Sequence, residues 1–238
     1  MLRAILLAAV VAGALAGLVA TGLQALRLVP LILQAETYEH SEAIPAHGGA
    51  GHEHAAPGAD AMAGDVGWAP ESALQRTLAT TFANLLTAIG FALLLAAALA
   101  LTGAAGWHRG LLWGLGGYAA FVLAPSISLP PSIPGMPEAP VEARQLWWLG
   151  TVAATAVGLF LLIRVRLWYG ALLGALCLVL PHLIGAPAPP IEDGRVPADI
   201  VRAYVTTAQA TNLVFWIVLG AATGFLLGRL IQVPSQSP

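Results

Sequence analysis

The chain has 238 residues, of which 58% are hydrophobic and 9% charged, with a formal net charge of −2. A soluble domain is about one quarter charged, and one this poor in charge could not cover its own surface, so the sequence reads as an integral protein of the lipid bilayer. The absence of a basic patch excludes nucleic acid as a partner, and the single Cys177 excludes an intramolecular disulfide and a cysteine-based metal cluster.

A membrane span needs roughly 20 mostly apolar residues. Six stretches meet that requirement, at 4–26, 77–106, 110–129, 145–163, 167–185 and 203–228. The expected fold is therefore all-α: a polytopic membrane helix bundle of about six transmembrane helices, one membrane domain over residues 1–238. Residues 34–76 are expected as a polar, flexible loop within it, because Gly, Ala, Pro, His and acids cannot bury a core. The first stretch has a competing reading as a signal peptide, with Arg3 before the apolar run and small residues near Ala20. That run continues to Leu33, longer than a usual signal core.

Charge sorts the connections. Arg3, Arg109, Arg164, Arg166 and Arg229 fall on one side, whereas all 12 Asp and Glu fall in 34–76, 124–144 and 186–202 on the other. The positive-inside rule then places both termini in the cytoplasm and the acidic loops outside.

Each outgoing stretch meets a proline near its outer end, at Pro30, Pro125 and Pro181. Each returning stretch follows an acid, Glu71, Glu142 or Asp199, suited to the positive end of a helix dipole. Glu71 and Asp199 each precede an Asn-Leu pair by 13 residues, at Asn84 and Asn212. The pattern is that of three related hairpins, the first and third most alike; the competing account is that prolines and acids are common punctuation at helix ends. G-x-x-x-G spacings at Gly13/Gly17, Gly110/Gly114 and Gly220/Gly224/Gly228 predict close helix packing, within the chain or in a homo-oligomer.

Candidate site residues form two sets. His40, His47, His52, Glu53 and His54 fall in the long loop, where imidazole with carboxylate suits borderline divalent metals. His182, in the fifth stretch beside Pro181, completes this metal-binding set, because an ionisable group inside a span is a functional candidate by default. Gln24, Arg27, Glu36, Asn84, Gln145 and Asn212 all count to the outer third, which predicts a polar vestibule narrowing inward. The competing account is that these amides simply bond neighbouring helices. No G-x-S-x-G, H-E-x-x-H or P-loop is present, so no enzyme is expected.

The residues resemble a known family. Pro30-Leu-Ile-Leu-Gln-Ala-Glu36-Thr-Tyr38-Glu39 before a His-rich loop is similar to the opening of CbtA-type predicted cobalt transporter subunits. Ala83-Asn84-Leu, Leu129-Pro-Pro131, Ala143-Arg-Gln-Leu-Trp-Trp148, Leu180-Pro-His-Leu-Ile-Gly-Ala-Pro187 and Phe215-Trp216 continue the likeness. The resemblance implies cobalt uptake for cobalamin synthesis, five spans rather than six, and a small single-span CbtB-type partner with a His-rich end. Co²⁺ is then the transported ion, and no cofactor is permanently bound. The leading function is a channel-like or carrier-like cobalt importer, since no acid or His lies deep in an inner half where proton coupling would want one. The alternative is a non-transporting membrane scaffold or metal-sensing subunit of a larger transport complex; a weaker one is a transporter of nickel or a small organic ion.

Overall fold

The computed structural model describes residues 2–40, 72–189 and 194–231. Helix α1, Leu2–Leu23, runs through a π-helical turn, Gln24–Leu28, into α2, Val29–His40, as one rod. After α3, Ala73–Leu101, a second composite rod joins α4, Trp107–Tyr118, to a π turn, Ala119–Leu123, and α5, Ala124–Ser128. The remaining rods are α6, Val141–Arg164, α7, Trp168–Ile184, and α8, Ala198–Ile231. Among the described residues five rods are long and apolar enough to cross a membrane, and α7, with 17 residues, is a shorter sixth.

Local chemistry sets the ends. Ser72 is extended, and its hydroxyl accepts the Gln75 N–H at 3.2 Å, capping α3. Gly103 and Gly106, at φ 62° and 107°, make the tight turn from α3 to α4. Both π turns precede a proline by two residues, at Pro30 and Pro125. A proline ring crowds the carbonyl one turn back and offers no N–H. A widened turn relieves that crowding: the Val29 N–H bonds the Gln24 carbonyl, and the Ala124 N–H bonds that of Ala119.

The first rod corrects the expected loop boundary at 34. The helix continues to His40, because Ala35 is fully buried against Ile133, Val196 and Ile200 and holds the polar turns in register. A hydropathy window ends where water begins, but helical hydrogen bonding does not. Glu36 and His40 are thus helical, while His47, His52, Glu53 and His54 lie outside the described residues.

Rods alternate in direction. Glu36, Glu138, Glu142 and Asp199 gather at one end of the bundle, here the acidic end, and Arg3, Arg109, Arg164, Arg166 and Arg229 at the other. Packing departs from three chain-adjacent hairpins. α1 and α3 do pair, with a Cβ on Gly13 falling 2.6 Å from the Ile89 Cα. α4, however, packs on α8, because glycine faces glycine: a Cβ on Gly220 would sit 2.8 Å from the Gly114 Cα, and one on Gly224 2.7 Å from the Gly110 Cα. The Gly106 N–H even donates to the Gly224 carbonyl across this seam, at 3.0 Å. Matching glycine faces bring backbones closer than chain adjacency alone does. α1 closes on α8, giving a four-rod core of α1, α3, α4 and α8. α6 and α7 pair with each other, and α6 reaches the core through the second π turn and α5, in the acidic half.

Candidate vestibule

The returning helices supply the polar walls. Asn84 on α3 donates through Nδ2 to Gln24 Oε1 at 2.8 Å and to Thr21 Oγ1 at 3.0 Å, tying α3 to the first rod where α1 meets its π turn. Asn212 on α8 donates through Nδ2 to the Ala208 carbonyl of its own helix at 3.0 Å. In both amides the nitrogen is engaged by protein, and the carbonyl oxygen is the part a cation would take. Gln24, Asn84, Thr87, Thr211 and Asn212 line a cavity of about 230 Å³. A second cavity of about 430 Å³ adjoins it towards the acidic end, and Phe121, Val122, Trp148 and Asn212 are common to both.

The outer cavity carries Arg144, Gln145 and Gln209 among prolines of the 125–131 segment. Glu138 neutralises Arg144 at 2.6 Å, so the mouth presents no bare cation there. Gln209 is fixed by the Tyr118 hydroxyl, which donates to Oε1 at 3.2 Å. Aromatic rings close the inner cavity. Phe91 and Trp216 lie 4.9 Å apart, Phe91 and Phe121 5.0 Å, and Phe121 and Trp216 5.6 Å, and Trp216 is only 2% exposed. Beneath them the core is apolar and close-packed: Ala9, Ala88, Ala92, Ala96 and Leu219 are buried between α1, α3 and α8.

The expected vestibule residues divide. Gln24, Asn84 and Asn212 converge in the inner cavity, and Gln145 stands in the outer one. Arg27 is exposed on the rod's outside. Glu36 lies 3.9 Å from Arg76, above both cavities. His182 lines neither cavity: its Nδ1 sits 2.9 Å from the Ser128 hydroxyl and its ring 6.1 Å from that of Trp147. Among the described residues no group of three or more His, Cys, Asp or Glu converges. Thr87, Thr211, Gln209, Tyr118 and the aromatic floor were not anticipated. The shared 13-residue interval before Asn84 and Asn212 was a usable signal, since both amides reach one chamber.

Chemically, this is a set of neutral oxygen donors on one part of a small, otherwise largely apolar chamber. A bare divalent ion would find no carboxylate among the lining residues and would lose solvation it could not replace. A hydrated cation, by contrast, can donate hydrogen bonds from its coordinated waters to amide and hydroxyl oxygens.

The family model described as "Probable cobalt transporter subunit (CbtA)" matches residues 2–228. No curated protein and no solved structure matches the chain.

Proposed function

The chain belongs to the CbtA family, and on that premise we propose that it forms the passage through which cobalt is taken up across the bacterial cytoplasmic membrane, for cobalamin synthesis. The observation that carries this reading is the pair of adjoining cavities, which lead from the acidic end to converging amides on three rods inside a membrane bundle. The acidic end faces outward. There the His- and acid-bearing segment that includes His47, His52, Glu53 and His54 concentrates the metal, and the vestibule receives it with its water. A membrane potential negative inside favours entry by about 2.3 kcal/mol per charge per 100 mV, or about 4.6 kcal/mol for Co²⁺, without ATP. The family description names a subunit; the partner proposed is a small single-span chain of the CbtB type.

Radioactive cobalt uptake tests the proposal in cells lacking their own high-affinity route. Cells producing the chain with its partner should accumulate cobalt, and Asn84→Leu with Asn212→Leu should reduce the initial rate at least tenfold. Uptake that ignores this pair, with the protein inserted at normal levels, would move the reading to the scaffold alternative.

A further inference from the structure

The vestibule ends at Trp216, yet a passage must continue to the arginine end. The buried stripe of α8 runs Thr211, Phe215, Leu219, Thr223, Leu227 at four-residue intervals. Thr211 lines the chamber, and Thr223 lies 12 residues further, about 18 Å along the helix. Leu219 belongs to the cluster that includes Trp216, and Leu227 to the next one, with Ala8, Leu99 and Ala104. Thr223 therefore sits between two apolar layers, 0% exposed.

Its hydroxyl makes no hydrogen bond. That is a choice the backbone does not impose. Thr21, Thr81, Thr151 and Thr206 each donate to the carbonyl four residues back, at 2.7 to 2.9 Å, the usual solution for a threonine within a helix. An unpaired hydroxyl at this depth is destabilising, and a valine of the same shape would be free of that cost. Lack of a partner alone does not single Thr223 out, since Thr155 shares it; what does is its place on a core rod, seven residues or about two turns beyond Trp216.

The floor has the makings of a movable part. Trp216 is packed edge and face against Phe91, Phe121 and Phe215. Gly117 makes room for its ring, with which a Cβ there would collide. Apolar constrictions block ions by excluding water, and open when a modest displacement lets water in.

We infer that Trp216 is the gate of the passage and that Thr223 is the polar step beneath it, whose hydroxyl meets the hydrated cation once the ring has moved aside. This rests on the transport reading above. Thr155 gives an internal control, since it is 2% exposed and its hydroxyl is likewise unpaired, but it lies on α6 in the separate α6–α7 pair.

Two measurements test it. In the cobalt uptake assay, Thr223→Val should slow entry at least fivefold, Thr223→Ser should retain it, and Thr155→Val should match the unaltered chain. Equal rates for both valine variants, or equal losses, would overturn the assignment. The second measurement needs no cobalt. In a Cys177→Ala background, Thr223→Cys is exposed from the acidic side to a small cationic methanethiosulfonate reagent, with Trp216 present or changed to Ala or Leu. Labelling should be at least tenfold faster once the indole is gone, and labelling indifferent to position 216 would overturn the gate. Absent cobalt uptake together with gated labelling would instead refute the transport reading and leave the passage standing.

Discussion

Asn84 shows what a residue contributes at this site. Its Nδ2 bridges Gln24 and Thr21, and interhelical hydrogen bonds in membranes average about 0.6 and reach about 1.7 kcal/mol. Asn84→Ala should therefore lower thermal stability in detergent by about 1 kcal/mol while reducing cobalt uptake much more, about tenfold at low cobalt. A loss of stability with full uptake would make Asn84 a helix tie alone. His182 has the opposite profile. It stands outside both cavities with Nδ1 against Ser128, so the geometry favours a tether between α7 and α5. His182→Ala and Ser128→Ala should each cost about 1 kcal/mol and leave uptake within twofold. Loss of uptake in the histidine variant alone would restore His182 to the path. Depth was legible in the sequence for all these residues, because counting from a helix end gives it. Facing was not, because it depends on which rod a helix meets, and a π turn rotates everything beyond it.

Among the elements, the glycine stripes were readable as close contacts, but their partners were not. Spacing says that a face is small; it does not say against what. α4 was expected beside α6, its neighbour in sequence, and packs instead on α8, where Gly110 and Gly114 meet Gly220 and Gly224. Gly220→Ala would push a methyl to 2.8 Å from the Gly114 Cα, and overpacking of that kind costs about 1–3 kcal/mol. Gly116, on the same helix, has open space around it, so Gly116→Ala should change the melting temperature little. Equal effects from the two would mean that the seam yields. The first and second outgoing rods share the π turn and following proline, whereas in α7 Pro181 lies within an α-helix. The likeness expected between the first and third hairpins thus survives in Asn84 and Asn212, not in the prolines.

For the whole molecule, the existence of six apolar rods followed directly from hydropathy, while their ends did not, because α2 and α8 run past the apolar window on buried contacts of their own, such as Ala35 and Ile200. Sorting of charge carries the topology prediction: reporters fused at residue 60 and at the C-terminus should read opposite sides of the membrane. Deleting 43–66 should raise the cobalt concentration for half-maximal uptake about tenfold and leave insertion intact; loss of insertion would make that segment structural. The unequal rods have a further consequence. α7, with 17 residues, is about 25 Å long, short of the roughly 30 Å hydrocarbon thickness of an average bilayer, whereas α8, with 34, reaches about 51 Å. Even upright, α7 falls about 5 Å short, so the lipid beside it thins or its flanking residues snorkel, and hydrophobic mismatch costs fractions of a kcal/mol per ångström. Because α7 leans on α6, and α6 carries Trp148 into the cavity wall, acyl-chain length bears on the shape of the chamber, so that the surrounding lipid acts as a component of that chamber rather than its container.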